Sequence, residues 1–241
     1  MADLKIFTDN PEVASEFAKC FRDHINNLDQ DVINVCLSGG STPKLLFQEL
    51  AANHSDSIEW SRVHFFWGDE RCVAPEDEQS NYGECKKLLL DKINIPITNI
   101  HRVIGESDPT SEADRYGETI KDHVAIGESG LPEFDVIMLG MGGDGHTASI
   151  FPHQMELLTS KKICEVAVHP ESGQKRVTIT GPVINAAKFV VFLITGGGKA
   201  DVLATVRDGS GKQYPATHVQ PESGELCFFL DEAAAAKIES A

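Results

Sequence analysis

The chain has 241 residues, 41% of them hydrophobic, enough to bury an α/β core of ordinary size. Its 37 acidic side chains outnumber 21 basic ones and leave a formal charge of −16, which opposes nucleic acid and anionic membranes alike. An anionic ligand would therefore need a local basic island. No run approaches the roughly 18 apolar residues of a membrane span, and the opening Met-Ala-Asp-Leu-Lys-Ile is no basic stretch ahead of an apolar one. The six cysteines (Cys20, Cys36, Cys72, Cys85, Cys164 and Cys227) form no C-x-x-C pair, as expected of reduced thiols in the cytoplasm. One domain spanning residues 1–241 is the expectation.

In chain order, Asn10 is expected to cap a first helix opened by Pro11, with Val13, Phe17, Cys20, Phe21 and His24 along its buried stripe. Residues 32–37 read as a short apolar strand running into Ser38-Gly39-Gly40-Ser41-Thr42-Pro43, where Thr42 can cap and Pro43 open a helix. The same grammar recurs. Residues 63–67 run into Gly68-Asp69-Glu70-Arg71, residues 134–139 into a glycine turn ending at His146, and residues 189–195 into Gly196-Gly197-Gly198-Lys199. Further strands are predicted at 176–180 and 225–230, polar loops or helix starts near 75–80 and 105–117, and an Ala-rich helix at 233–236. Strands alternating with helices predict a doubly wound, mostly parallel α/β sheet with helices on both faces. Ligands of such sheets bind at the carboxyl ends of the strands, where all these glycine turns would fall.

The turn Ser38, Gly39, Gly40, Ser41, Thr42 lets backbone approach an anion at a helix start, although a plain strand-to-helix turn needs the same residues. Lys199 follows a similar turn, while Arg71 and Arg176 flank the same edge; each suits a phosphate, and each could instead pair with one of the many acids. Gly140-Met141-Gly142-Gly143-Asp144-Gly145 fits the G-x-G-x-x-G dinucleotide pattern, but the acid expected about 20 residues on would fall near Glu165, inside a strand. The same turn places Asp144 two residues before His146, a spacing at which a carboxylate can orient an imidazole that takes a proton from water. No metal is expected, because His146 and His153 are seven apart around Pro152. A serine triad is unsupported: Ser38 lies in no G-x-S-x-G elbow, and Ser149 reads as a helix residue.

Leu37-Ser38-Gly39-Gly40-Ser41-Thr42-Pro43, Trp67-Gly68-Asp69-Glu70-Arg71 and the block from Gly140 through His146 to Pro152 together resemble the 6-phosphogluconolactonase family. Gly181-Pro182-Val183-Ile184-Asn185-Ala186-Ala187 and Thr195-Gly196-Gly197-Gly198-Lys199 extend the resemblance over nearly the whole chain. It implies a Rossmann-like fold shared with glucosamine-6-phosphate deaminases and ribose-5-phosphate isomerases. The implied activity is hydrolysis of 6-phospho-D-glucono-1,5-lactone, the second step of the oxidative pentose phosphate pathway, without a cofactor. His146 matches the family's catalytic histidine with Asp144 beside it; Ser38 to Thr42, Arg71, Arg176 and Lys199 match positions expected to hold phosphate or line the site. The related deaminases carry a glutamate five residues after the histidine, and here that residue is Phe151. A deaminase or isomerase, a dehydrogenase and a non-catalytic phosphosugar binder are the competing readings.

Overall fold

Strand residues alternate between two buried layers. In Ile33–Leu37 the side chains of Ile33, Val35 and Leu37 join one hydrophobic core and Cys36 the other; in Val136–Leu139, Val136 and Met138 join the first, Ile137 and Leu139 the second. Successive strand side chains point to opposite faces, so a strand apolar at every position is stable only where a sheet is covered on both sides. The computed structural model describes residues 2–238. Its strands are β1 (Asp3–Phe7), β2 (Ile33–Leu37), β3 (Val63–Trp67), β4 (Asp69–Arg71), β5 (Val136–Leu139), β6 (Cys164–Val168), β7 (Lys175–Ile179), β8 (Phe189–Ile194) and β9 (Glu225–Asp231). Its helices are α1 (Asn10–Asn27), α2 (Ser41–Asn53), α3 (Asn81–Leu88), α4 (Pro109–His123), α5 (Gly181–Ala186), α6 (Ala200–Arg207) and α7 (Glu232–Ala235).

Six strands pair in parallel in the order β1-β9-β8-β5-β2-β3. Residues of α1, α2 and α3 fill the core on one face, and residues of α4 to α7 fill the other. This is the doubly wound α/β sheet expected from the sequence. None of its helices, among the described residues, is long and apolar enough to cross a membrane, and all six cysteines are free.

Several local expectations need correction. β1 went unpredicted because none of its residues is fully buried; it is an edge strand held by β9. The cap of α1 is Asp9, whose side chain accepts the Glu12 N–H, and its inner stripe runs through Val13, Ala14, Phe17, Ala18, Phe21 and Ile25, leaving Cys20 and His24 half-buried. Thr42 does not cap α2: Gly40 occupies that position, and the Thr42 hydroxyl bonds the Thr195 hydroxyl at 2.9 Å. The strand read at 176–180 lies outside the parallel sheet. With β4 and β6 it forms a second, antiparallel sheet in the order β4-β7-β6, so Asp69, Glu70 and Arg71 are a strand and no turn. That sheet grows directly from β3, since the Gly68 N–H bonds Leu37 O at 2.9 Å while Gly68 O accepts the Ile179 N–H at 2.8 Å.

Beside β3 three imidazoles meet away from the strand ends. His64 Nδ1 and His101 Nε2 are 3.1 Å apart, and the His101 ring lies 4.5 Å from Phe66 and 4.2 Å from His123. Burial, then the His123 and His64 imidazoles, push His101 down to about 4. Its folded value is thus below the unfolded value of about 6.5, so the stability is fully present above about 6.5 and drains as pH falls toward 4. Between pH 7.5 and 5.5 the loss is roughly 1 kcal/mol, or about 2–4 °C in unfolding midpoint for a chain of this size. Thermal melts of wild type and His101→Gln should differ by that slope; equal slopes would show that the cluster does not titrate with folding.

Candidate active site

The carboxyl ends of β2, β3, β5 and β8 lie at one sheet edge, and the loops that leave them enclose a cleft of about 180 Å³. Ser38, Gly39, Gly40, Ser41, Thr42, Arg71, His146, Arg176 and Lys199 all line it, and Asp144 stands behind His146. Every residue that the sequence offered for phosphate binding or for the proton transfer is therefore brought to one place.

The turn after β5 is closed by the Gly142 N–H to His146 O and the Gly145 N–H to Gly142 O, both at 3.0 Å. Within it Asp144 Oδ1 lies 2.6 Å from His146 Nδ1 and also accepts the His146 backbone N–H at 3.2 Å. Burial acts to raise the Asp144 carboxyl, but its bond to His146 and the imidazole charge outweigh this and hold it below the usual aspartate range. An ionised carboxylate only accepts, so Nδ1 carries a proton, and in the neutral ring that leaves Nε2 as the nitrogen with a free lone pair. A side chain at Gly142 would leave no room for the pair, since its Cβ would stand 2.2 Å from His146 Nδ1. Ala148, on the cleft wall just beyond, has φ 47°, a left-handed conformation that costs an alanine of order 1 kcal/mol and more.

The basic side of the cleft is built by the second sheet. Arg71 and Arg176 are direct cross-strand partners between β4 and β7, so their side chains share a face. Like charges so placed repel, and the surroundings offset only part of this. Asp69 Oδ2 lies 3.9 Å from Arg176 Nη1, the Arg176 guanidinium covers the Phe151 ring at 5.6 Å, and Arg71 donates from Nη1 to Gln79 O at 2.7 Å. The buried Nε atoms of both arginines find no partner among the described residues. Burial lowers the Arg176 guanidinium from its ordinary value, Asp69 opposing, and burial likewise lowers the Lys199 ammonium, Asp231 opposing. No side chain caps α2, whose first turn also faces this cleft. Two guanidiniums, an ammonium, hydroxyls and a helix start give an acidic protein a local patch of positive charge and hydrogen-bond donors, chemistry suited to an anion.

Several contributors were not anticipated. Asp69 lines the cleft and accepts the Ser149 hydroxyl at 2.6 Å; Ser149 is no helix residue but a buried member of a tight turn. Asn81 donates from Nδ2 to Asp69 O at 2.9 Å and packs so closely on Gly39 that a Cβ there would meet Asn81 Oδ1 at 1.9 Å. Glu70, 2% exposed, accepts the backbone N–H groups of Arg71, Asn81 and Tyr82 and the Ser80 hydroxyl, tying the start of α3 to β4. Asp69 and Ser149 stand inside recognisable blocks, whereas nothing local marks Asn81. The dinucleotide reading loses its support, because the turn ending at Gly145 opens no helix and Glu165 sits within β6.

The model of the glucosamine-6-phosphate isomerases/6-phosphogluconolactonase family matches residues 8–228. The chain belongs to that family. It is 45% identical to the 6-phosphogluconolactonase of Haemophilus influenzae, the alignment covering 84% of this chain and 86% of the relative. With the 6-phosphogluconolactonase of Treponema pallidum it shares 42% identity over 87% of this chain and 86% of that one. The solved 6-phosphogluconolactonase of Trypanosoma brucei superposes with a TM-score of 0.90 at 28% identity, covering 99% of both chains. The family joins isomerases to lactonases on one fold, so the choice between them rests on side chains in the cleft.

Gly142→Ala tests whether the Asp144–His146 geometry carries the chemistry. The added methyl should cost kcat about 10²-fold through displacement of the imidazole, with KM within a few-fold of wild type; an unchanged kcat in steady-state assays would dismiss the pair.

Proposed function

We propose that the chain hydrolyses 6-phospho-D-glucono-1,5-lactone to 6-phospho-D-gluconate, the second step of the oxidative pentose phosphate pathway, in the cytoplasm, where unpaired thiols persist. The observation that carries this reading is a carboxylate-oriented imidazole, Asp144 to His146 at 2.6 Å, on the wall of a cleft lined by Arg71, Arg176 and Lys199. The cationic groups and the first turn of α2 hold the phosphate, which turns a loose encounter into a fixed orientation of the lactone.

In this mechanism His146 Nε2 takes a proton from water as the oxygen attacks C1. A backbone N–H group from one of the glycine turns, or Arg71, stabilises the oxyanion. The C1–O bond of the ring then breaks, the imidazolium returns its proton to the departing ring oxygen, and the new carboxylic acid ionises. Asp144 keeps the ring in the productive tautomer and stabilises its charged form.

Phe151 favours hydrolysis over the deaminase alternative. Its ring is fully buried, 4.8 Å from the His146 ring and 5.4 Å from that of His169. It stands where the deaminases place a glutamate, and an apolar ring relays no proton for sugar-ring opening.

The test is hydrolysis of freshly generated 6-phosphogluconolactone at mildly acidic pH. His146→Ala should lower kcat by about 10²–10⁴-fold with little change in KM, whereas Lys199→Ala and Arg176→Ala should mainly raise KM. A chelator should leave the rate unchanged. If wild type fails to exceed the spontaneous rate, lactone hydrolysis is excluded and ammonia release from glucosamine 6-phosphate becomes the assay.

A further inference from the structure

Lys199 closes the short turn Gly197–Lys199 ahead of α6 and reaches the cleft half-buried. A lysine there has two difficulties: glycine-rich backbone does not hold its side chain in place, and burial works against its charge. Asp231 answers both. It is the last residue of β9, 6% exposed, and lies beside the end of β8 through the parallel pairing of those strands. Its two carboxylate oxygens accept the Gly196 N–H at 3.0 and 2.9 Å, and Oδ1 also accepts the Ala234 N–H at 2.7 Å. The turn is further seated on α7, where a Cβ at Gly197 would lie 3.6 Å from Ala233 O.

The charges around the turn single this residue out. On α6, Asp201 is paired with Lys237; on α7, Glu232 is exposed; across the cleft stand Arg71, Arg176 and His146. Burial holds the Lys199 ammonium below the ordinary lysine value, and the anion whose field opposes this is Asp231. The carboxylate's hydrogen bonds are spent on main-chain amides, so the ammonium keeps its own donors for a ligand. A direct ion pair would have competed with phosphate for them.

We propose that Asp231 is a positioning residue for Lys199: it fixes the Gly196–Lys199 turn through main-chain N–H groups and sets a buried carboxylate charge against the turn that carries the ammonium. This rests on the reading that the cleft takes a phosphosugar. Removal of the carboxylate charge makes the ammonium lose its proton at lower pH, so phosphate binding fails at lower pH. A capping aspartate with no further role would not produce that displacement.

The experiment is calorimetric titration of 6-phosphogluconate, which has no lactone to hydrolyse spontaneously, from about pH 7 to about 10, beside lactone hydrolysis by wild type. Wild-type binding should weaken along an alkaline limb. In Asp231→Asn that limb should move to lower pH, so that binding measured on it is weaker than in wild type; Asp231→Glu should keep the wild-type limb. Lys199→Arg should abolish the limb, because a guanidinium stays charged throughout. If Asp231→Asn does not fold by circular dichroism, Asp231→Ser serves, since it still caps α7 but carries no charge. Limbs that coincide in wild type and the neutral variant overturn the role of Asp231. Wild type that neither binds 6-phosphogluconate nor hydrolyses the lactone overturns the functional reading, and this proposal with it.

Discussion

Parallel strands cannot be joined by tight hairpins, so each must return over one face of its sheet before the next can pair. Here that return is made on both faces, and the strands are apolar on both sides to match it. A geometric consequence follows: β2, β3, β5 and β8 all release the chain at the same edge. The glycine turns, the helix start at Ser41 and the His146 loop are neighbours for this reason, although they are spread over most of the chain. The cleft is thus a product of sheet topology before any side chain is considered.

Local charge then has to work against the molecule's overall charge. A formal −16 repels a phosphorylated sugar at long range, yet Arg71, Arg176 and Lys199 converge on a small cleft whose walls raise their effect. The small antiparallel sheet makes this possible. By growing from β3 through Gly68 it sets the two arginines opposite each other, and Asp69, Phe151 and Ser149 keep Arg176 in place.

The chemical half of the cleft follows another rule. His146 needs no distant partner, because Asp144 reaches its Nδ1 within a single turn. Gly142 leaves room for the pair, and Ala148 is held in a strained conformation just past it. The basic half of the cleft, by contrast, draws on the turns after β2 and β8, on β4 and β7 of the second sheet, and on Asp231 at the end of β9. The Asp144–His146 pair is therefore a local device, and the basic side of the cleft a collective one.

This division explains what could be read without a fold. Alternating apolar runs, glycine turns and the two-residue Asp144-to-His146 spacing are short-range features, and by themselves they determined the parallel α/β class, the edge where the glycine turns meet and the contact between Asp144 and His146. The edge strand β1 escaped because a half-exposed segment carries no burial pattern. The second sheet escaped because Asp69 to Arg71 is too short to show a period. Ser149 reaches Asp69 across 80 residues of chain, and neither Arg71 opposite Arg176 nor Asp231 beneath Lys199 leaves any local mark. Only the tertiary structure decided those partners, because pairing between distant segments depends on which strands become neighbours, and that is settled by the burial of two whole cores and by no single stretch of sequence.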